Sequence, residues 1–169
     1  MQQEARTFAI KAHGDQKYGD HPYSYHLDQV AEIARPFGEE AAAIAYLHDT
    51  AEDTEITLAE IEQSFGRKIA ACVALLTDEA GTNRKERKAK TYAKLAAVSG
   101  PNEIALLVKA ADRLANVRAC VKDKKLSLWQ LYQSEQATFR ASAYRAGLCD
   151  PLWFELEALL AEGAFDAEV

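Results

Sequence analysis

The stretch that decides the fold runs from Glu39 to Thr54 and reads EEAAAIAYLHDTAEDT. Two glutamates, which suit the positive end of a helix dipole, precede an alanine-rich apolar run, and this pattern predicts a buried helix over 39–49. The side chains of His48, Asp49, Glu52 and Asp53 follow closely. Such groups repel one another and are costly to desolvate unless a cation lies among them. The stretch therefore predicts a metal site at the end of a buried helix.

His48 lies on or beside the apolar stripe of this helix, which includes Ile44 and Leu47. Considered without its neighbours, His48 could be a core histidine that donates a hydrogen bond to a backbone carbonyl. Asp49 favours the metal interpretation, because two adjacent ionisable groups at an apolar helix end need a shared counter-charge. A metal at this place would need further ligands from other parts of the chain.

Asp112 and His26 are the further candidate ligands. Asp112 falls at the edge of the apolar stripe of a long predicted helix, where a carboxylate is uncommon, and a salt bridge to a neighbouring Arg or Lys is the alternative explanation. His26 stands at the start of the second predicted helix. Two imidazoles and two carboxylates suit Mn²⁺ or Fe²⁺ better than a metal that prefers thiolates. None of the four histidines follows His48, so we expect one ion.

Helical periodicity dominates the rest of the chain, and no segment shows a convincing strand pattern. Residues 13–26 are rich in Gly, Asp, Pro and Tyr and predict a loop, and Thr57 with Glu60 predicts a capping box. The pattern predicts one all-α domain over 1–169, a compact bundle of about seven to nine helices. The predicted helices cover 2–13, 25–34, 39–49, 57–65, 67–78, 86–98, 101–123, 127–147 and 151–162.

Composition excludes several classes of protein. A net charge of −6 argues against general nucleic-acid binding. The three cysteines form no CxxC pair, which argues against a disulfide framework or a thiolate zinc site. The sequence shows no signal-peptide pattern and no run of the ~20 apolar residues that span a bilayer. We expect a cytoplasmic protein whose partners include neither nucleic acid nor membrane.

Six motifs together carry a family resemblance. In chain order they are FAIKAHGDQ, HPYSYH, AYLHDTAEDT, ITLAEIEQSFG, LLTDE and LLVKAADRLANVR. They resemble the HD-domain metal-dependent phosphohydrolases, and more narrowly the RelA/SpoT-type hydrolase domain and the stand-alone small alarmone hydrolases. The resemblance covers residues 5–120, and the helices of 127–162 are less diagnostic. It implies an HD-domain helical bundle.

The resemblance also implies an activity and roles for individual residues. Members remove pyrophosphate from the 3′ position of (p)ppGpp by attack of a metal-activated water, and some prefer the adenosine analogues. The matched metal ligands, which hold Mn²⁺ in the family, are His26, His48, Asp49 and Asp112. Glu52 and Asp53 match the acidic pair that positions and deprotonates the water, although they could instead cap the next helix. Asn116 matches a contact to the nucleotide sugar.

A basic stretch from residue 83 to residue 90, NRKERKAK, allows two interpretations. It is either a solvated helix face with a Glu86–Lys90 pair, or a clamp for the phosphates of the substrate. In the second interpretation Arg84, Arg87 and Lys88 contact the phosphates, and Lys109 adds to them.

The loop after the first motif departs from the family. Many members carry an Arg-Lys pair where this chain has Lys17 and Tyr18. Tyr18 offers a flat aromatic face on which a purine can stack, but the missing guanidinium leaves the choice between guanine and adenine open.

Two rival functions remain at this stage. One is an HD-class phosphomonoesterase of ordinary nucleotides, and the other is a non-catalytic module that binds an alarmone. The intact ligand set with Glu52 and Asp53 argues against the binding module, which would not need all six residues, and a panel of nucleotides would separate the two enzymes. The sequence leaves open which divalent ion is loaded and whether the chain is a monomer or a homodimer.

Overall fold

The chain is helical along most of its length. The computed structural model describes residues 1–161, 163 and 165. Its helices are α1 Gln2–His13, α2 Ser24–Ala34, α3 Glu39–Leu47, α4 Thr50–Asp53, α5 Leu58–Phe65, α6 Arg67–Leu76, α7 Arg84–Ala96, α8 Ile104–Lys122, α9 Leu126–Ala143 and α10 Asp150–Leu160. Short 3-10 turns cover Arg35–Phe37 and Gly100–Glu103, and the strands β1 Lys17–Tyr18 and β2 His21–Pro22 form a small hairpin.

The prediction of an all-α bundle is confirmed. In the described part of the chain, nine helices have eight residues or more, and α4 adds a single four-residue turn. The capping box also forms, because Thr57 Oγ1 accepts the Glu60 N–H and Glu60 Oε2 accepts the Thr57 N–H. One hydrophobic core contains buried residues of every helix from α1 to α10 except the α4 turn, and α7 contributes through its apolar face. The interpretation of 1–169 as a single domain stays a prediction.

Several local differences separate the predicted elements from the observed ones. Helix α7 spans Arg84–Ala96 and not 86–98, and α8 begins at Ile104, because residues 100–103 form a 3-10 turn. The predicted loop contains the β1–β2 hairpin, whose two-residue strands are too short to show period-two alternation. The third helix ends at Leu47, two residues early, since Asp49 adopts φ −99° and ψ −4° and the chain then starts α4. The ninth helix ends at Ala143, where Tyr144 turns extended. Residue 162 of the last predicted helix lies outside the described residues.

Helix α3 lies at the centre of the packing. Every residue from Ala41 to Leu47 is buried, and α3 contacts α1, α2, α6 and α8. A helix that is apolar all round is typical of a protein interior, and its methyl side chains let the neighbouring helices come close. The C-terminal end of α3 therefore lies in the interior, and so does His48, which follows it.

Helix α8 carries a buried cation that joins three helices. Arg113 is only 6% exposed. Its guanidinium donates to Glu135 Oε2 at 3.0 Å and to the Tyr92 hydroxyl at 2.8 Å, and it lies over the rings of Tyr132 and Phe139. The carboxylate, the hydroxyl and the two aromatic rings together offset the cost of removing the charge of Arg113 from water.

The three cysteines are free and buried. Cys72, Cys120 and Cys149 are each at most 2% exposed, and burial raises the pKa of each thiol to about 11. In the part of the chain that the structure covers, no helix is long and apolar enough to cross a membrane.

The ion pair of Glu135 predicts a pH-dependent contribution to stability. Burial raises the pKa of Glu135, but hydrogen bonds from Arg84 and Arg113 outweigh it, so the pKa lies below its ordinary 4.5. Because the folded state favours the charged carboxylate, Glu135 stabilises the fold at pH values above its ordinary pKa. This stabilisation is lost as pH falls through the lower pKa that Glu135 has in the folded protein. We expect Glu135→Gln to lower the free energy of unfolding at pH 7 by about 2 kcal/mol.

Urea denaturation from neutral to acidic pH measures this difference. The gap between wild type and Glu135→Gln should begin to narrow as pH falls below 4.5, where Glu135 of the unfolded chain takes up a proton, and should close once pH passes the lower pKa of Glu135 in the folded protein. A gap that stays constant across the series would show that Glu135 contributes through packing and not through its charge.

Candidate metal centre

His48 presents an unpartnered lone pair to the interior. The residue is 1% exposed and its Nδ1 lies 2.7 Å from the Ala45 carbonyl oxygen. A carbonyl only accepts, so Nδ1 carries the hydrogen and Nε2 is left with a lone pair. That buried Nε2 has no hydrogen-bond partner among the described residues. The carbonyl contact and the metal interpretation are therefore compatible, since the first orients the ring for the second.

Four side chains from three parts of the chain converge at this nitrogen. Ligand atoms of His26, His48 and Asp49 all lie within 4.8 Å of one another. Asp49 Oδ2 is 3.0 Å from His48 Nε2, and Asp112 Oδ1 is 3.4 Å from His26 Nε2 and 3.6 Å from His48 Nε2. Helix α2, the end of α3 and helix α8 supply them, so the structure brings together the four predicted ligands.

The electrostatics of the cluster fit a divalent cation. Burial disfavours the charged form of each group, but the carboxylates raise the pKa of His48, and the imidazoles hold the pKa of Asp49 and of Asp112 below its ordinary value. Both carboxylates therefore stay ionised and face imidazole nitrogens at close range. Two nitrogen and two carboxylate donors around one point can hold a divalent metal ion.

Tyr23 is part of the site, and sequence reasoning missed it. Its hydroxyl donates to Asp49 Oδ2 at 2.5 Å and lies 3.1 Å from Asp53 Oδ2. Burial raises the pKa of Tyr23, so the hydroxyl keeps its hydrogen. Gln16, also missed, donates to Asp53 Oδ2 at 3.2 Å. The position of Tyr23 one helical turn before His26 was the available signal, because residues three apart share a helix face.

Glu52 and Asp53 lie on the α4 turn that follows the cluster. The backbone N–H of Asp53 donates to the Asp49 carbonyl at 2.9 Å, which holds the turn against the ligand segment. Glu52 Oε2 accepts the backbone N–H of Asp78 at 2.9 Å, and burial of the carboxylate raises the pKa of Glu52. The alternative role of the pair as a helix cap fails, since Thr57 is the N-cap of α5.

A pocket of about 590 Å³ adjoins the cluster. Tyr18 lines it, and its ring stacks on His26 with the centroids 4.7 Å apart. The Tyr18 hydroxyl donates to Asn116 Oδ1 at 2.7 Å, and Asn116 Nδ2 donates to Asp112 Oδ1 at 2.6 Å. Tyr18 and Asn116 therefore stand between the pocket and the cluster. Tyr132 and Leu128 also line the pocket.

Three of the five cations in the basic stretch form ion pairs with carboxylates of the protein. Arg84 forms two hydrogen bonds with Glu135, at 2.8 and 3.2 Å, and Lys88 Nζ lies 2.7 Å from Asp78 Oδ2. The predicted Glu86–Lys90 pair forms at 2.7 Å. The phosphate-clamp interpretation is therefore weakened for Arg84 and Lys88, whose cations already have partners.

The other predicted substrate contacts lie in different surroundings. Lys109 is 8% exposed, donates to the Leu76 carbonyl at 3.2 Å and lies 3.7 Å from Asp112 Oδ2. Burial lowers its pKa, but nearby carboxylates outweigh this and the net shift is upward, so Lys109 is a cation beside the cluster. Arg87 is half-buried on α7, and Lys17 is exposed on β1.

The sequence and the fold are similar to those of known proteins. A family model described as an HD domain matches residues 5–149. The guanosine-3′,5′-bis(diphosphate) 3′-pyrophosphohydrolase of Aquifex aeolicus (strain VF5) is 31% identical over 149 residues, which are 86% of this chain and 21% of that protein. The chain thus spans about a fifth of that relative.

Two shorter proteins match over more of their length. The guanosine-3′,5′-bis(diphosphate) 3′-pyrophosphohydrolase MESH1 of Homo sapiens is 35% identical over 122 residues, which are 68% of this chain and 66% of that protein. A solved structure described as a metazoan ortholog of SpoT that hydrolyses ppGpp has a TM-score of 0.74 and 23% identity, and the match covers 96% of each chain. The structural match shows a shared fold.

The cluster predicts metal-dependent stability that requires Asp112. A ligand that binds only the folded state stabilises it by about 2.7 kcal/mol at a hundred times its Kd. We expect Mn²⁺ to raise the Tm of wild type and to leave Asp112→Asn unchanged, because the amide keeps the size of the side chain and removes its charge. Differential scanning calorimetry with and without Mn²⁺ measures the shift.

The exposed ion-pair residue Glu155, on α10, gives a charge-matched control. Glu155→Gln should respond to Mn²⁺ as wild type does. Equal Mn²⁺ responses of wild type and Asp112→Asn would remove Asp112 from the ligand set.

Proposed function

The chain belongs to the HD domain family, and we propose that it is a manganese-dependent 3′-pyrophosphohydrolase of purine alarmones such as (p)ppGpp or (p)ppApp. The observation that carries the proposal is the convergence of His26, His48, Asp49 and Asp112 beside an acidic turn and an open pocket. Two relatives named as guanosine-3′,5′-bis(diphosphate) 3′-pyrophosphohydrolases support the choice of substrate.

The proposed chemistry divides between the ion and the α4 turn. A divalent cation held by the four ligands supplies Lewis-acid polarisation and lowers the pKa of a water molecule. Glu52 is the proposed acceptor of the water's proton, since a raised pKa makes its carboxylate a stronger base at neutral pH. Asp53, fixed by Tyr23 and Gln16, is proposed to help orient the water.

The pocket is proposed to bind the nucleoside. Its volume of about 590 Å³ lies within the ordinary range for small-molecule sites. Asn116 is proposed to contact the sugar while it also donates to Asp112, and Tyr18 and Tyr132 give the pocket aromatic walls. Lys109 adds positive charge beside the cluster, where the 3′-diphosphate would lie. Mn²⁺ as the loaded ion, a homodimer and a cytoplasmic location remain predictions.

A panel of substrates tests the proposed function. Mn²⁺-loaded protein is incubated with ppGpp, ppApp, AMP and dAMP, and the products are separated by charge. We expect pyrophosphate from ppGpp or ppApp and no phosphate from the monophosphates. Release of phosphate from AMP or dAMP without pyrophosphate from ppGpp would favour the phosphomonoesterase, and tight binding without turnover would favour the binding module.

Glu52→Gln tests the assigned base. We expect kcat to fall by about 10²- to 10⁴-fold, because the amide cannot accept the proton, while KM and the Mn²⁺-induced rise in Tm change little. Steady-state kinetics with ppGpp measure both constants. The matched control is Glu55→Gln, an exposed carboxylate three residues along the chain, which should keep wild-type kinetics. Unchanged turnover in Glu52→Gln would end the assignment.

A further inference from the structure

The polar face of α7 holds the segment that follows α6. This segment, Thr77–Ala80, has no regular secondary structure of its own. Four α7 side chains contact it: Lys88 through the carboxylate of Asp78, Thr91 through the N–H of Glu79, Lys90 through the carbonyl of Ala80, and Lys94 through the carbonyl of Thr77. The basic stretch therefore packs its charges onto a neighbouring part of the same chain.

The Lys88–Asp78 pair is the most enclosed of these contacts. The two side chains are 16% and 10% exposed, and Lys88 Nζ lies 2.7 and 3.0 Å from the two carboxylate oxygens. Burial raises the pKa of Asp78, but Lys88, with smaller contributions from Lys109 and Thr91, outweighs it and the net shift is downward, so the carboxylate stays ionised. Removing one partner of an enclosed pair leaves a poorly solvated charge, so the pair fixes the position of Asp78 strongly.

Asp78 in turn fixes Glu52. The Asp78 backbone N–H donates to Glu52 Oε2 at 2.9 Å, across 26 residues of sequence. Among the described residues no other hydrogen bond reaches the Glu52 carboxylate. The orientation of that carboxylate therefore depends on where the 77–80 segment is held.

We propose that Lys88 is a positioning residue for Glu52, acting through Asp78, and not a ligand for substrate phosphate. The inference rests on the proposed function for its kinetic consequences. A base must be held within hydrogen-bond reach of its proton, and a misplacement of about 1 Å can cost about a hundredfold in rate. Lys88 does not touch Glu52. It binds the Asp78 carboxylate and so holds the Asp78 backbone N–H that donates to Glu52.

Kinetics of Lys88→Met in two backgrounds test the proposal. With ppGpp, we expect kcat to fall about tenfold or more while KM stays within about twofold of wild type. Lys88→Arg, which can still pair with Asp78, should retain most of the activity. In the Glu52→Gln background Lys88→Met should cost nothing further, because residues that act through one group are not additive. The control Lys85→Met removes a charge from an exposed position on the same helix.

A second measurement does not depend on turnover. The amide hydrogen of Asp78 should exchange slowly in wild type and in Lys88→Arg, and rapidly in Lys88→Met, as followed by nuclear magnetic resonance. If Lys88→Met does not fold, Asp78→Asn replaces it, with the same expected loss of kcat and of amide protection.

Several outcomes would overturn the proposal. A rise in KM with kcat retained, or an equal loss in the wild-type and Glu52→Gln backgrounds, would make Lys88 a substrate contact. Unchanged protection of the Asp78 amide in Lys88→Met would break the proposed connection to Glu52. Absence of pyrophosphate release by wild type would instead refute the proposed function, while the amide exchange would still decide the role of Lys88.

Discussion

Repulsion among buried ligand groups is the constraint on which the structure depends. The carboxylates of Asp49 and Asp112 face the imidazoles of His26 and His48 at 3.0 to 3.8 Å in a largely enclosed space. Without a metal ion, the two buried carboxylates repel each other and the groups are removed from water, which is costly in a medium of low dielectric constant even when His48 takes up a proton. The helices that carry these residues are packed by alanines and branched aliphatics, so the fold holds the groups together against this cost.

The balance of charge around the site follows from the pairing of α7. Arg84, Lys88 and Lys90 are each engaged by a carboxylate of the protein. A polyanionic substrate therefore meets none of these three charges unpaired, and Lys109 is buried beside the cluster and not on its surface. A bound ion would add positive charge at the cluster itself, so that binding of a diphosphate and catalysis would share that charge.

Sequence reasoning placed most helices and named the groups that meet at the cluster, because helical periodicity and the cost of burying charge are both local signals. It could not find the contact between Glu52 and Asp78. Every residue except proline has a backbone N–H, so the sequence does not indicate which one donates to Glu52. It also could not tell that Arg84 and Lys88 of NRKERKAK pair with Glu135 and Asp78, because these partners lie in other segments. The break at Asp49 was missed for a similar reason, since tertiary packing overrides helix propensity there.

The buried thiols described with the fold make the chain a convenient host for a spectroscopic probe. With pKa values of about 11, on the order of one thiol in ten thousand is ionised at neutral pH, and only the ionised form attacks an alkylating dye. Because Cys72, Cys120 and Cys149 are also enclosed, a cysteine introduced on an exposed loop would react first. A fluorophore or spin label can thus be attached at one introduced cysteine without replacing any of the three native cysteines.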